Sequence, residues 1–191
     1  GGERLRPMEI RNVAYSGVFN DLLFELSESQ FLKDKLNIID SKSISYRTMR
    51  DVEHVLRFFT LSKNWKKIRK SLGTEMDNFM SKNRHIPDFE IDQLRSLFKK
   101  TINGVEKIWG EVAFHKSPPS KRKQRMLSPL FDAQMVATSL LSEDEILKTA
   151  LHSKDVIVET MDLIFNDQEF LMSISQATNN AVNIKIRIEA I

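Results

Sequence analysis

The longest regular pattern in the sequence lies within residues 87–112. Apolar residues recur there at intervals of three and four positions, at Ile91, Leu94, Phe98, Ile102, Val105, Trp109 and Val112. Because an α-helix returns to the same face every 3.6 residues, this spacing predicts a long helix with one buried stripe. Pro87-Asp88 suits its start, whereas Gly104 and Gly110 each weaken it by about 1 kcal/mol relative to Ala.

Shorter helical patterns fill most of the remaining chain. The clearest is in residues 47–61, where Met49, Val52, Leu56 and Phe59 share a face and Glu53 and Arg57 pair on the polar side. We expect further helices to start at Pro7 (with Gly17 just after its end), near residues 19 and 29, at Ser71, at Ser128, at Ser142 with Glu145 as a capping box, at Ser153 and near residue 170. Residues 37–46 are predicted to be a loop.

The composition supports an all-α class and an irregular bundle of about nine helices. The chain has only 6 Gly and 5 Pro but 12 Phe and 8 Met, so it has few turn formers and ample core material. It has no Cys, which excludes disulfides, thiolate nucleophiles and Cys-based zinc sites and fits a reducing compartment. No apolar run approaches the ~18 residues of a membrane span. We therefore expect a cytoplasmic protein with no membrane association.

The final residues fit two patterns. Val182, Ile184, Ile186 and Ile188 alternate with polar residues, as in a strand, but Ala181, Ile184, Ile188 and Ile191 also share one helical face. Because no second strand-like run exists to pair with, we predict a helix.

Residues 116–125, KSPPSKRKQR, form the clearest break in the chain. They contain two prolines and five cations without an apolar residue, so we predict a mobile loop that trypsin would cut first. We expect an N-terminal helical lobe at 1–115, a basic Pro-containing loop at 116–127 and a C-terminal helical lobe at 128–191. We expect the two lobes to form one domain overall.

The opening segment, GGERLRPMEIRNVAYSGVFNDLL, resembles a conserved segment of the GmrSD-type, ParB-like restriction family of bacterial defence proteins. The matching positions are Gly1, Gly2, Leu5, Glu9, Ile10, Arg11, Asn12, Gly17, Phe19 and Asn20. Val13 replaces the Ala usual in the family. A second match is RDVEHVLRFF at residues 50–59, and the tail Ala177-Thr178…Arg187-Ile188 resembles the final element of the family.

The resemblance implies a parent protein that is a nucleotide-dependent endonuclease acting on foreign or modified DNA with an NTP and Mg²⁺. The family's catalytic Asp-Gly-Gln-Gln-Arg motif lies before the Gly-Gly and is absent from this sequence, and Arg84-His85-Ile86-Pro87 does not match the His-Asn-His nuclease core. We therefore expect a non-catalytic helical domain without its own cofactor, which supports an N-terminal catalytic domain. Gly1-Gly2 is then either a tag remnant or a position inside a longer protein.

Seven residues of the first match form the expected docking surface for that domain: Gly1, Gly2, Leu5, Glu9, Ile10, Arg11 and Asn12. Glu9 and Asn12 are i,i+3 neighbours that either hydrogen-bond a neighbouring loop or await the absent domain. Arg11 either binds carboxylates or carbonyl groups at a domain junction or reaches a phosphate in the catalytic site. We expect Leu5, Met8 and Ile10 to be uncovered.

No residue pattern indicates a catalytic or metal site. None of His54, His85, His115 and His152 forms an i,i+3 or i,i+4 pair. His54 is predicted to be solvated or salt-linked on the polar side of its helix. Glu143-Asp144-Glu145 is explained by the positive end of a helix dipole.

Two basic clusters are candidate nucleic-acid contacts. One comprises Lys63, Lys66, Lys67, Arg69 and Lys70 around Trp65, and the other comprises Lys116, Lys121, Arg122, Lys123 and Arg125. If they share a face, DNA binding is favoured over a merely solvated surface. The alternative function is a protein-interaction or homo-oligomerisation module with no nucleic-acid role, and salt-dependent DNA binding separates the two.

Overall fold

The computed structural model describes residues 5–116, 125–152 and 154–191, and these fold into α-helices and two 3₁₀ helices with no strand. The all-α prediction is confirmed. The described residues contain twelve α-helices, more than the nine or so expected, partly because a single turn interrupts the predicted loop at 37–46. In chain order they are α1 (Pro7–Ala14), α2 (Val18–Ser27), α3 (Gln30–Lys35), α4 (Ile44–Arg47), α5 (Arg50–Asn64), α6 (Leu72–Asn83), α7 (Asp88–Trp109), α8 (Ser128–Ser139), α9 (Glu143–Ala150), α10 (Lys154–Phe165), α11 (Gln168–Ser175) and α12 (Ala181–Glu189).

Side-chain caps set several helix starts where the sequence places them. Ser71 Oγ accepts from the Thr74 amide, and Ser142 forms the predicted capping box with Glu145. The start of α5 lies three residues later than expected because Met49 adopts a left-handed conformation with φ 52°. A helix cannot pass through that conformation, so α5 begins at Arg50.

Gly17 has a different role from the one predicted. It precedes α2 with φ 154°, and Tyr15 ends α1. A Cβ on Gly17 would lie 2.6 Å from the carbonyl oxygen of Arg84, so only glycine fits this approach. The side chain of Arg84 closes the same contact, because its Nε donates to Ser16 O at 2.8 Å.

Helix α5 lies at the centre of the core and is covered on nearly all sides. It packs against α2, α6 and α8, and every residue from Val52 to Leu61 except Glu53 is buried. Its own Phe58 and Phe59 pack against Phe19 of α2 and Phe98 of α7, with ring centroids 5.3–6.1 Å apart. The same core includes residues of α8 and α12, so it takes in chain from both sides of residues 117–124.

The long helix α7 packs against both α8 and α9, and Gly104 lies where they meet. A Cβ at this position would come within 2.9 Å of Ile146 Cδ1 and of Thr138 Cγ2. The glycine that weakens the helix locally therefore permits the close packing of its neighbours.

The C-terminal residues form α12, which confirms the helix prediction. Ile184 and Ile188 are buried in the core, and Ala181 and Ile191 pack against it, as the predicted helical face requires. Helices α10 and α11 contribute to a smaller apolar cluster of Leu130, Met161, Phe165, Phe170 and Ile174. The expected start at Ser153 and most of the predicted mobile loop lie outside the described residues.

No helix within the described residues is both long enough and apolar enough to cross a membrane.

Candidate functional site

The most unusual polar feature of the structure is a carboxylate in the core that binds two arginines. Asp132 of α8 accepts two hydrogen bonds from Arg57 of α5, at 3.0 Å from Nε and 2.6 Å from Nη2. Arg187 of α12 donates through Nη2 to the same carboxylate at 2.6 Å. Asp132 and Arg187 are 0 % exposed and Arg57 is 5 % exposed. We call these three residues the Arg57–Asp132–Arg187 cluster; it ties three helices together.

Charge pairing keeps the cluster ionised despite its burial. Burial by itself would raise the pKa of Asp132, but the positive charges of Arg57 and Arg187 outweigh it and hold that pKa below its usual value. For Arg57, burial favours the neutral form, yet the Asp132 carboxylate raises its pKa overall. For Arg187, burial is the larger effect and lowers the pKa, assisted by repulsion from Arg57. An arginine nevertheless stays protonated in proteins.

The remaining donors of the two arginines bind the segment before α12. Arg187 Nη1 donates to Thr178 O at 2.6 Å, and Arg57 Nη1 donates to Asn179 Oδ1 at 3.3 Å. Arg57 also lies 3.9 Å from Glu53, the predicted pair. The prediction that Arg57 lies on an exposed polar side is wrong, because α8 covers that side of α5. Arg187 Nε has no hydrogen-bond partner among the described residues.

His54 is also buried, which contradicts the prediction of a solvated or salt-linked residue. Its ring is 1 % exposed and packs edge-on against Phe131 with centroids 4.9 Å apart. Nδ1 lies 2.5 Å from Arg50 O and Nε2 lies 3.0 Å from Ser128 Oγ. Because a carbonyl can only accept, Nδ1 carries the proton and Nε2 accepts from the serine hydroxyl. Burial, reinforced by the charge of Arg57, lowers the pKa of His54 to about 3.

Polar residues of the first matched segment bind partners within the chain. Arg11 is 9 % exposed; its Nε donates to Asp77 at 2.7 Å and its Nη2 to Gly73 O at 3.1 Å, joining α1 to α6. Asn12 Oδ1 accepts from Asn20 Nδ2 at 2.8 Å, so two asparagines of the same segment bind each other. The structure places Arg11 on a carboxylate and a carbonyl group, both of them contributed by this chain.

The apolar residues of this segment divide between core and surface. Met8, expected to be uncovered, is 2 % exposed, whereas Leu5 is 66 %, Ile10 52 % and Val13 76 % exposed. Glu9 is half-buried and accepts from the Arg6 amide at 2.6 Å. Gly1 and Gly2 lie outside the described residues. Of the predicted docking surface, Leu5 just before α1 and Ile10 on α1 are thus exposed, and Val13, which was not part of that prediction, is exposed one turn after Ile10.

The described residues contain no group of three His, Asp or Glu side chains positioned to hold a metal ion. The acidic run at 143–145 lies in the first turn of α9, where Glu145 accepts from Ser142 N at 2.8 Å. Glu145 therefore has the capping role that the sequence indicates, and Glu143 and Asp144 lie in the first turn, where the helix dipole favours carboxylates.

The first basic cluster is on the surface, with Lys63, Lys66, Lys67, Arg69 and Lys70 all exposed. Trp65 is only 8 % exposed, with Lys66 Nζ 5.1 Å from its ring centre, so it cannot stack on a nucleic-acid base. In the second cluster, Lys116 and Arg125 are exposed, and Lys121, Arg122 and Lys123 lie outside the described residues. The pKa of Arg50 in α5 is lowered by burial and then by Arg125, which places Arg125 near the start of α5.

Sequence analysis did not identify Asp132 or the role of Arg187. One signal was present: α8 carries apolar residues on every side, including Leu130, Phe131, Ala133 and Met135, and Asp132 is its only charged residue. A helix that is hydrophobic on all sides is buried, so a carboxylate in its middle must be paired.

Comparisons with protein-family models, with curated proteins and with solved structures found no match to this chain.

Proposed function

We propose that this chain is a non-catalytic helical domain of a GmrSD-type, ParB-like defence protein, which supports a catalytic core that acts on foreign or modified DNA with an NTP and Mg²⁺. The chain itself contributes architecture and surface to that protein. No cofactor is assigned to its own residues.

One observation supports this proposal above the others: polar residues in the matched segments act within the fold. Arg57, in the second matched segment, and Arg187, in the tail, bind one carboxylate in the core. Arg187 also binds the backbone of Thr178, the other end of the tail match. Asn12 and Asn20 pair within the first segment. Segments far apart in the sequence thus require each other for packing, as in a supporting domain.

The exposed side of α1 is the proposed contact with the catalytic core. In the family, the segment that resembles the start of this chain follows the core directly. Leu5, Ile10 and Val13 are exposed apolar residues there, while the neighbouring Arg11 and Asn12 already bind partners within the chain. An apolar surface next to a domain junction favours association by burial.

Association in trans tests the proposal. A catalytic domain that carries the Asp-Gly-Gln-Gln-Arg motif is mixed with this chain and analysed by sedimentation velocity. We expect a complex that Ile10→Glu/Val13→Glu abolishes and that Leu151→Glu/Leu163→Glu, which places the same charges on other exposed apolar residues, preserves. Absence of a complex, or equal effects of the two variants, argues against this role.

A protein-interaction or oligomerisation module is the second candidate. The observation that favours it is a set of exposed leucines on and beside α9 and α10: Leu140 is 63 %, Leu147 50 %, Leu151 84 % and Leu163 72 % exposed. Sedimentation equilibrium tests it directly. Concentration-dependent self-association that Leu151→Glu/Leu163→Glu abolishes supports the module, and a monomer at all concentrations rejects it.

A further inference from the structure

A cleft of about 550 Å³ lies between the segment that precedes α6 and the segment that precedes α12. It is lined by residues 69–71 and 177–181 and contains no acidic side chain. The backbone joins its two sides, because the Leu72 amide donates to Asn179 O at 3.0 Å. The cleft is therefore a fixed part of the fold.

The cleft is lined by two cations among small and uncharged polar residues, and the Glu75 carboxylate lies next to it, where it accepts from the Lys70 amide at 3.3 Å. Arg69 and Lys70 are exposed, and neither carries a hydrogen bond or ion pair from its side chain to the described residues. Asn179 Oδ1 accepts from Arg57, which leaves the amide Nδ2 of Asn179 as a donor for a ligand. The caps Ser71 and Asn180 are occupied by Thr74 and Asn183, so the helix ends do not by themselves create a site.

A buried excess of positive charge lies beneath the cleft. The Arg57–Asp132–Arg187 cluster has two cations for one fully buried carboxylate, and Glu53, at 3.9 Å from Arg57, is partly exposed. Arg187 is fully buried with Nε unpaired among the described residues, and its Nη1 binds the cleft residue Thr178. Because charge is screened little in a core, this excess favours an anion in the cleft.

The neighbouring surface indicates an extended polyanion. Helix α12, whose start lines the cleft, packs against the 3₁₀ helix Trp65–Lys67, which presents the exposed Lys66 and Lys67. The apolar residues of this segment, Trp65 and Ile68, are 8 % and 2 % exposed. They can neither insert into a membrane surface nor stack on unpaired bases. The mode of binding that this surface allows is therefore contact between its cations and the charged backbone of a polyanion.

We propose that this cleft binds a backbone phosphate of duplex nucleic acid without sequence preference, with Arg69, Lys70 and the Asn179 amide as donors and the lysines of residues 63–67 contacting neighbouring phosphates. The inference rests on the proposed function, in which the chain belongs to a protein that acts on DNA. The cleft and the lysines of residues 63–67 are then the surface that holds the duplex.

Fluorescence anisotropy with the full chain and a labelled 20-bp DNA duplex, between 50 and 200 mM salt, tests the proposal. We expect binding that weakens with salt, with a log–log slope that falls by about 1 for each phosphate-binding side chain removed. Arg69→Gln/Lys70→Gln should therefore flatten the slope by about 2 and weaken two unrelated duplexes equally. Lys107→Gln/Lys148→Gln removes two exposed positive charges from other helices and should leave the slope unchanged.

Four results would overturn the proposal. They are no duplex binding at 50 mM salt, equal slopes for the two double variants, tighter binding of single-stranded DNA, and equal binding of vesicles with phosphatidylserine in the same salt range. Because the assay contains no catalytic domain, its failure rejects the phosphate site and leaves the supporting role to the association experiment.

Discussion

Removal of the Asp132 carboxylate is the sharpest perturbation of this fold. Asp132→Asn keeps the side-chain shape and removes the charge that neutralises two buried guanidiniums. Breaking a buried ion pair by removing one partner typically costs about 3–5 kcal/mol. Because Arg57 and Arg187 both depend on this carboxylate, we expect the upper end, about 5 kcal/mol. That is a large part of the roughly 5–15 kcal/mol that stabilises a domain.

Urea unfolding followed by circular dichroism measures the effect. With a slope of about 2 kcal/mol/M, a loss of about 5 kcal/mol lowers the midpoint by about 2.5 M. Glu25→Gln, which breaks an exposed pair with Arg95, is the control and should move the midpoint far less.

A second variant keeps the reasoning testable if Asp132→Asn does not fold. In Arg57→Met/Asp132→Leu/Arg187→Met all three charges are replaced together, so no buried charge is left unpaired; Glu53, which loses Arg57, is partly exposed to solvent. We expect the stability of this variant to lie within about 2 kcal/mol of the wild type, or above it. If Asp132→Asn changes stability by less than about 1 kcal/mol, the cluster does not hold the helices together as described.

Two further predictions concern buried positions in α5 and α7. The pKa of His54 is about 3 in the folded protein and near 6.5 in the unfolded chain. Between these pH values only the unfolded state binds the proton, so the free energy of unfolding should fall as the pH falls below 6.5. The expected loss is about 1.4 kcal/mol per pH unit, or about 2 kcal/mol at pH 5. Urea unfolding at pH 8 and pH 5 should show this loss in the wild type and not in His54→Gln, and an equal loss in both would reject it. Gly104→Ala should destabilise the protein by about 1 kcal/mol, since the clash with Ile146 and Thr138 costs about 1–3 kcal/mol and the helix gains about 1. A rise in melting temperature would refute this account of Gly104.

Local sequence signals were enough to predict most of the helices, although not the single turn α4 within the predicted loop at 37–46. Capping residues such as Ser71 and Ser142 and the spacing of apolar residues act within a turn or two, so the chain specifies them without knowledge of its partners. The start of α5 differed because Met49 adopts a left-handed backbone conformation that its residue type does not indicate.

The polar cluster could not be predicted from local patterns. An amphipathic helix is expected to expose its polar side, yet α8 packs on that side of α5 and buries His54 and Arg57. The partners of Arg57 lie 75 and 122 residues away in the sequence. The one sequence signal was that Asp132 is the only charged residue of α8, a helix with apolar residues on every side, and this did not identify which cations bind it.

The cleft depends on tertiary packing in the same way. Arg69 and Lys70 were candidate nucleic-acid contacts in an exposed basic cluster and Ser71 a predicted helix cap, whereas Ala177 and Thr178 were noted only for the tail match of the family resemblance. The packing of α12 against residues 65–67 brings the two segments together. The sequence therefore predicted the exposed cations but could not predict the concave surface between the two segments.

The most direct test of the central proposal, that this chain is a non-catalytic supporting domain, is a turnover assay. The purified chain is incubated with plasmid DNA, an NTP and Mg²⁺, and strand cleavage and phosphate release are followed together. We expect no turnover above that of a protein-free control. Turnover that co-purifies with the chain and disappears on substitution of one of its exposed polar residues would contradict it.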